Sequence, residues 1–406
     1  MKILKLIFSA EMFFVIYLTS GVYKETLDFP IDVTVFFLVL SVLMAIRRFL
    51  KRPVLRKGVV LPLILMAVFM FLLAVSLVYT PSTIYGLEKT YRFILITAPA
   101  FITLFFLLQD TGSIKRFLSA FVLLGTLLSA VMVFRNLNSD TGFVGFNEGN
   151  YLGLGQLLGV AFIIAITYFY PKSDKKDKLP LLVAILLISS ALLMTGARMP
   201  LIAAVLVLGY YVFTSVKIKN GIVYVRKGFK RTISLMLVGA VAFSYMYFKG
   251  HLDTILFRLR VLFESDGGGA SVSARVARYD KAWEMWLENP FLGSGVGSFG
   301  LAYNGYDGRE YPHNIFLELL SENGLAALIV FALLLITVLN RFVISAKMKS
   351  PLAIAVIGAF VYTLINANVS GSLNDHRLMF SFMAATCMLP VLLKVEKNQL
   401  KHEISK

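Results

Sequence analysis

The chain has 406 residues, of which 58% are hydrophobic and 16% are charged. The hydrophobic share exceeds the roughly 45–50% of soluble domains, which excludes an ordinary soluble protein. The formal net charge of +17 would suit a nucleic-acid-binding protein, but the basic residues are distributed as in a membrane protein, so nucleic acid is excluded as a partner. The single cysteine, Cys387, excludes an internal disulfide and a thiolate metal site.

Long apolar blocks alternate with polar connections along most of the chain. Each block is long enough to cross a hydrocarbon core of about 30 Å as a helix. The pattern predicts an all-α polytopic membrane protein with about 12 transmembrane helices. Their approximate cores are residues 5–22, 31–47, 58–80, 92–108, 114–134, 150–170, 179–196, 199–215, 232–248, 319–340, 350–367 and 377–394.

Lysine and arginine concentrate in alternate connections, most densely in residues 47–57, 172–178 and 217–231. This bias predicts that these connections and both termini are cytoplasmic. Basic clusters of this kind interact with anionic lipid, so the bilayer is an expected partner. The first block, residues 5–22, is interpreted as a retained span because Glu11 and its bulky end fit signal-peptide cleavage poorly.

One connection is much longer than the others, and the topology places it outside. The chain therefore divides into residues 1–248 with nine spans, an extracytoplasmic loop over 249–312, residues 313–395 with three spans, and a cytoplasmic tail over 396–406. Connections of this length are usually functional or disordered.

The loop carries two amphipathic patterns. Apolar residues at helical spacing predict one helix over His251–Phe263 and a second over about Ser271–Glu288. Both tryptophans of the chain, Trp283 and Trp286, lie in the second helix. Because tryptophan prefers the membrane interface, we expect these helices to lie on the outer leaflet.

Arg198 stands between two apolar blocks, in a short turn with Gly196 before it and Pro200 after it. A charge at the boundary of a span is a functional candidate by default. The alternative is an arginine that anchors a helix end.

Arg275 and Arg278 lie one turn apart on the second loop helix, so they share a face. Arginine is always charged and binds phosphate with a planar fork of donors. At least one of the two is predicted to bind substrate, and a solvated or lipid-facing role is the alternative.

His313 and Asn314 directly precede the tenth apolar block, and only four histidines occur in the chain. A histidine where an external loop meets the bilayer could take a proton from a hydroxyl group as a general base. The alternative is a helix-capping or interface histidine. Asn150, before the sixth span, and Arg377, before the last span, fall on the same predicted face and are candidate substrate contacts.

The segment GSGVGSFG, residues 293–300, resembles a nucleotide-binding loop only superficially, because no strand precedes it and no GK[ST] follows it. A flexible turn is the better interpretation. No HExxH motif and no cluster of metal-ligating residue types occurs, so no metal and no cofactor is expected.

Three of these motifs together resemble the bacterial O-antigen ligase and O-antigen polymerase superfamily, which are integral-membrane glycosyltransferases of the GT-C type. The family's arginine-containing turn falls on Arg198, and its second arginine falls on Arg275, fifteen residues before Pro290. Its His-Asn pair falls on His313 and Asn314. The Pro-to-Gly stretch falls on residues 290–297, the helix start on residues 322–324, and the Asn-containing start of a middle span on Asn150.

The sequence departs from the family pattern at three positions: Ala197 replaces a serine, Phe291 replaces Leu or Ile, and Arg278 adds a second basic residue. It is therefore open whether Arg275 or Arg278 is the main pyrophosphate contact. The close resemblance covers roughly residues 190–335.

The resemblance implies a donor glycan on undecaprenyl pyrophosphate, presented at the outer leaflet of the bacterial plasma membrane. Arg198 and Arg275 would hold the pyrophosphate and His313 would act as the base, without metal and with inversion. The acceptor would be a glycan or a lipid-linked molecule, and a flippase or a chain-length regulator is an implied further partner.

Three functional classes remain. The favoured interpretation is a polymerase that joins lipid-linked repeats, the alternative is a ligase that moves the glycan to a lipid, cell-wall or protein acceptor, and the third is a lipid or polysaccharide transporter. Transporters usually place charges in the middle of spans. Here the notable charges cluster at one predicted face, which favours chemistry at the interface.

The topology is tested by labelling single cysteines from outside the cell. A cysteine placed at Gly268, in the predicted external loop, should react with a membrane-impermeant maleimide, whereas one placed at Lys175 should not. The opposite pattern would put the arginines and His313 in the cytoplasm and would overturn the scheme.

Overall fold

A computed structural model describes residues 2–136, 151–219, 222–225 and 270–404, apart from residues 28, 52, 54–56 and 349, together with isolated positions between 239 and 260. The predicted helix over His251–Phe263 and the predicted ninth span lie mostly outside the described residues, and Asn150 lies wholly outside them.

Helices account for most of the described chain. They are α1 Lys2–Ile7, α2 Ala10–Thr19, α3 Val33–Lys51, α4 Lys57–Val75, α5 Tyr85–Arg92, α6 Ala98–Leu107, α7 Thr111–Asn136, α8 Tyr151–Ile164, α9 Tyr170–Lys172, α10 Lys175–Met194, α11 Arg198–Ser215, α12 Ala270–Glu288, α13 Phe299–Asn304, α14 Ile315–Lys347, α15 Pro351–Ala367 and α16 Arg377–Ile404. Two π-helical turns, Phe93–Thr97 and Ala165–Phe169, join α5 to α6 and α8 to α9.

Eight helical segments among the described residues are long and apolar enough to cross a membrane, and three shorter apolar helices accompany them. The all-α polytopic class is therefore confirmed. One boundary differs from the prediction, because the span expected over 92–108 begins at Tyr85 and so contains Lys89. The first apolar block is also not one helix, since Ser9 caps α2 by accepting the Met12 N–H at 3.2 Å.

A short hairpin interrupts the helical pattern after α11. Strands β1 Val216–Lys219 and β2 Ile222–Val225 pair antiparallel, with Val216 opposite Val225. The strict alternation of apolar and basic residues in β1 suits a strand, which the basic clustering alone did not reveal.

The chain forms two compact units. The first contains Met1–Thr34, Lys115–Glu264 and Lys349–Tyr362. Its centre is α8, where the Tyr362 hydroxyl donates to the Gly155 carbonyl at 2.9 Å. Glycine permits this approach, because a Cβ on Gly159 would overlap the Tyr362 ring.

The second unit contains Val35–Ile114, Ser265–Met348 and Thr363–Lys406. Its core is aromatic: the Phe93 ring lies 5.5 Å from Phe69 and 5.6 Å from Phe380, centroid to centroid. The Phe331 ring joins them at 5.9 Å from Phe69. These contacts pack α4, α14 and α16 around the π-helical turn at 93–97.

Helix α14 is broken at Gly324, whose φ of 64° and ψ of −166° are not helical. The break frees backbone groups that a membrane cannot satisfy. The segment before α13 supplies partners: the carbonyls of Pro290 and Phe291 accept the N–H groups of Leu325 and Ala326 at 2.9 and 3.1 Å. In return, the Gly295 N–H donates to the Glu322 carbonyl at 2.8 Å.

The glycine-rich segment is close-packed rather than the flexible turn that the sequence suggested. Gly293, Gly295 and Gly297 all have positive φ values and are buried. A Cβ on Gly293 would come within 2.5 Å of the Glu322–Asn323 backbone, and one on Gly297 within 2.7 Å of the Gly86 backbone. The glycines are therefore required by close backbone approach between this segment and its neighbours.

The loop is also tied to the start of α5. The Asp307 carboxylate accepts the Ser82 hydroxyl at 2.5 Å and the N–H groups of Ile84 and Tyr85 at 3.0 and 3.3 Å. These bonds satisfy the free donors at the helix start and lower the pKa of Asp307. They hold the part of the loop that leads into His313.

Candidate active site

His313 has an unusual backbone conformation. Its φ is 62°, and it is the sole non-glycine residue with a positive φ among the described residues. Left-handed backbone costs a non-glycine residue about 1–3 kcal/mol, and such residues cluster at active sites. The surrounding packing therefore holds His313 in one strained orientation directly before α14.

The cap of α14 is Asn314, not His313. The Asn314 side-chain oxygen accepts the N–H groups of Phe316 and Leu317 at 3.0 and 3.1 Å, and its amide donates to the Asn368 carbonyl at 3.2 Å. The helix-capping interpretation of His313 is thereby removed. Both ends of the Asn314 amide serve the fold, and its predicted contact with substrate stays a prediction.

The His313 ring is half-buried and faces Tyr311, with the two ring centroids 4.5 Å apart. Its Nδ1 atom is buried and has no hydrogen-bond partner among the described residues. Burial, together with the positive charges of Arg275 and Arg278, lowers the pKa of His313 to about 4, and Asp375 acts in the opposite direction. The imidazole is consequently neutral at physiological pH, the form that accepts a proton.

The two loop arginines differ in their surroundings. Arg278 is held in place: its guanidinium lies 3.3 Å from the Glu310 carboxylate, donates to the Ala274 carbonyl at 3.2 Å, and stacks 4.9 Å from the Tyr303 ring centroid. Arg275 makes no ion pair or side-chain hydrogen bond within the described part of the chain, yet its charge acts on His313. Judged by the described residues, Arg275 is therefore the arginine of the two that is available to bind an anion.

The arginines owe their position to the packing of α12, whose observed start at Ala270 agrees with the predicted helix. Ala282 and Met285 are buried against Phe299, with Leu317 of α14 packed alongside. This apolar contact fixes the helix beside the start of α14 and leaves the face with Arg275 and Arg278 toward His313.

A buried ionic cluster, which sequence reasoning missed, lies in the same unit. The Lys89 ammonium contacts Glu318 at 2.5 Å and Glu322 at 2.6 Å, and all three side chains are about 1% exposed. The Leu373 N–H donates to both oxygens of Glu318 at 3.1 and 3.0 Å, and the Gly297 N–H donates to Glu322 at 3.0 Å. A lysine inside a span would have been the signal, but the predicted start of the span at residue 92 left Lys89 in a connection.

The turn before α16 links this cluster to the histidine. Glu318 holds the turn through Leu373, and Asp375 in that turn binds Arg309, whose Nη2 lies 2.9 Å from both carboxylate oxygens. Arg309 in turn lies over the Tyr311 ring at 5.8 Å. Tyr311 contacts the His313 ring, Asp375 acts on its charge, and Arg309 connects the two. Sequence reasoning did not single out Arg309 or assign a role to Tyr311.

The structure also describes the two other predicted arginines. Arg198 is the first residue of α11 in the first unit, after a turn in which Gly196 has φ of 62° and the Thr195 hydroxyl accepts the Ala197 N–H at 3.3 Å. Arg377 is the first residue of α16 and is partly buried. Among the described residues, no group of three or more His, Cys, Asp or Glu side chains could hold a metal ion.

Residues 183–332 match a family model described as O-antigen ligase. The match spans a little over a third of the chain and includes Arg198, both loop arginines and His313. It confirms the resemblance to the O-antigen ligase and polymerase superfamily. No curated protein matches the sequence.

The charge environment of His313 predicts an unusual titration. Because the pKa is lowered to about 4, the ring should stay neutral and reactive toward diethyl pyrocarbonate until the pH falls through that value. Arg275→Gln removes a positive charge that opposes protonation, so the loss of reactivity should move to higher pH. Peptide mass spectrometry reads the modification of His313 alone.

Lys281→Gln is the matched control, because Lys281 lies on the same helix but is paired with Glu284 at 3.0 Å. Its profile should coincide with that of the native protein. An Arg275→Gln profile that does not move would show that Arg275 does not face the histidine.

Proposed function

We propose that the protein is a membrane glycosyltransferase that transfers a glycan from undecaprenyl pyrophosphate to an acceptor hydroxyl at the outer leaflet of the bacterial plasma membrane. The observation that carries this proposal is a neutral, strained histidine beside Arg275, within the segment that matches the O-antigen ligase family. Among the described residues, His313 Nδ1 has no hydrogen-bond partner and Arg275 has no ion-pair partner. O-antigen ligase-type function implies a lipid-linked glycan and a membrane lipid.

The proposed reaction is a direct displacement. The acceptor oxygen forms a bond to the anomeric carbon, the bond from that carbon to the pyrophosphate oxygen breaks, and the electron pair leaves on undecaprenyl pyrophosphate. His313 accepts the hydroxyl proton on a ring nitrogen. Attack opposite the leaving group inverts the anomeric centre, and no nucleotide is consumed because the pyrophosphate is already a good leaving group.

Arg275 is the proposed main contact of the leaving pyrophosphate. Its planar fork matches phosphate oxygens, and positive charge placed where negative charge develops lowers the barrier. Arg278 is engaged by Glu310 and Tyr303, so we assign it the lesser role of supporting the local positive potential. Arg198 is proposed as a second pyrophosphate contact, and Arg377, Asn150 and Asn314 as glycan or acceptor contacts.

The proposed topology places residues 249–312 outside, with transmembrane residues 1–248 and 313–395 on either side of the loop and the 396–406 tail in the cytoplasm. A flippase or a chain-length regulator would be a functional neighbour, because the donor must reach the outer leaflet. The proposed reaction needs no metal, because the arginines balance the negative charge of the pyrophosphate that a divalent cation would otherwise balance.

We propose polymerisation of lipid-linked repeats as the transfer, and ligation to a different acceptor as the alternative. The matched family model, described as O-antigen ligase, fits both transfers. Both use the same donor and the same displacement, so they differ only in the acceptor. The clustering of charges at one predicted face supports either of them over transport.

Reconstitution with a defined pyrophosphate-linked repeat tests the proposal. A polymerase should yield a ladder of products from the repeat alone, whereas a ligase should yield product only when a second acceptor is added. His313→Ala should bind donor normally but turn over about 10²–10⁴-fold more slowly, the usual contribution of a general base.

His402→Ala, in the C-terminal helix, is the matched control and should behave as native. Turnover of His313→Ala within a few-fold of native would mean that another group takes the proton.

Substitution of Arg198 distinguishes its two interpretations, a pyrophosphate contact and a helix anchor. Arg198→Lys keeps the charge but loses the planar fork, so we expect a large loss of turnover with normal abundance in the membrane. Arg135→Lys, at the end of α7 on the same predicted side, should retain activity. If Arg198→Ala keeps near-native turnover, the anchor interpretation is correct.

A further inference from the structure

The first unit contains an open cavity of about 550 Å³ that the proposed reaction does not use. Its volume falls within the range of about 300–1,000 Å³ that is usual for ligand pockets. The walls come from α7, the π-helical turn Ala165–Phe169, α9 and the first half of α10. Such π-helical turns often mark functional sites.

The lumen is apolar, although hydroxyl groups line it. Val122, Leu123, Phe169, Leu181 and Ala184 supply hydrophobic surface. The lining serine and threonine hydroxyl groups already donate to backbone carbonyls: Ser119 to Lys115, Thr126 to Val122 and Ser173 to Tyr170, at 2.7–2.9 Å. Tyr168 supplies a fourth lining hydroxyl group. The walls therefore suit an acyl chain better than a polar ligand.

The only two charged side chains among the lining residues have opposite sign. Lys172 lies at the end of one candidate span, with its ammonium 4.6 Å from the Tyr168 ring centroid. Asp177 lies in the first turn of the next candidate span. Within the described residues the Asp177 carboxylate has no ion-pair partner. Both charges thus sit where spans end, while the apolar wall lies within the spans.

We propose that this cavity binds one phospholipid with a phosphoethanolamine headgroup. The lipid phosphate would lie against Lys172 and the lipid ammonium against Asp177, with an acyl chain along the apolar wall. Charge complementarity selects this occupant, because a headgroup with one negative and one positive charge matches one lysine and one aspartate. A purely anionic headgroup would leave Asp177 facing a negative charge.

The predicted topology puts the mouth of this cavity at the cytoplasmic leaflet, on the opposite side from the proposed reaction. The bound lipid is accordingly neither donor nor acceptor in that reaction. The experiment measures lipid binding and not glycan transfer. The lipid site could therefore be confirmed even if the proposed function is wrong, and it could be wrong even if the proposed function is correct.

The experiment uses the full-length protein in detergent after removal of native lipid. Native mass spectrometry measures binding of phosphatidylethanolamine, phosphatidylglycerol and phosphatidylcholine with identical acyl chains. We expect phosphatidylethanolamine to bind most tightly, since the trimethylated headgroup cannot donate a hydrogen bond to Asp177 and the glycerol headgroup lacks a positive charge.

Variants then assign the contacts. Lys172→Gln should weaken phosphatidylethanolamine and phosphatidylglycerol binding alike, by about fivefold, as expected for one lysine near a lipid phosphate. Asp177→Asn should lower binding of phosphatidylethanolamine and remove its preference over phosphatidylglycerol. Ala184→Trp should reduce binding of all three lipids, because it fills the apolar wall. Lys175→Gln, a neighbouring exposed lysine that does not line the cavity, is the matched control.

Three results would overturn the proposal. Equal binding of the three lipids to the native protein would indicate a nonselective groove for surrounding lipid. If Asp177→Asn still preferred phosphatidylethanolamine, the preference would not arise from this cavity. If Lys172→Gln and Lys175→Gln weakened binding equally, Lys172 would contribute only through the general surface charge and not through a specific contact. If Ala184→Trp fails to fold, the two charge variants still decide the question.

Discussion

The second unit depends on one buried ionic contact, that of Lys89 with Glu318 and Glu322. Removing an ion from water costs several kcal/mol even after relaxation, so buried charges need close contacts with groups of opposite charge. Here one ammonium meets two carboxylates, each carboxylate also accepts a backbone N–H group, and Glu322 Oε1 has no hydrogen-bond partner among the described residues. The cluster therefore joins α5, the broken start of α14, the glycine-rich segment and the turn before α16 at one point.

The position of the histidine follows from this constraint. His313 is separated from Glu318 by little more than one helical turn, and Asn314 caps the helix between them. The same Glu318 also holds the turn that carries Asp375. A strained backbone at His313 persists because the elements on both sides of it are fixed. Rigid support of this kind suits a general base, whose efficiency depends on orientation.

The elements of this unit could be predicted from the sequence to the extent that local signals define them. The apolar spacing predicted a helix over residues 271–288, and the structure places it at 270–288. The start of α14 after Asn314 also had a local signal, since asparagine is a preferred capping residue. The break at Gly324 had none of comparable strength, because a glycine in an apolar block does not by itself reveal a kink.

The contacts between distant elements could not be predicted in the same way. Lys89 and Glu322 are 233 positions apart, and no periodicity of the chain indicates that they meet. The assignment of residues 81–91 to a connection concealed the lysine, because a charge in a loop attracts no attention. Likewise, the sequence left open whether Arg275 or Arg278 is the main pyrophosphate contact. The two arginines differ in their contacts, because Glu310 and Tyr303 contact Arg278 and not Arg275.

The same electrostatics gives the site a physical logic under the proposed function. Burial and two nearby cations lower the pKa of His313 and keep it neutral, but they also oppose the proton that a base must accept. A bound pyrophosphate would neutralise Arg275 and so raise the proton affinity of the imidazole at the moment when the acceptor hydroxyl must lose its proton. The histidine is then a weak base in the empty site and a stronger one beside the donor. Modification of His313 in the presence of a non-transferable pyrophosphate lipid would show this coupling as a shift of its titration to higher pH.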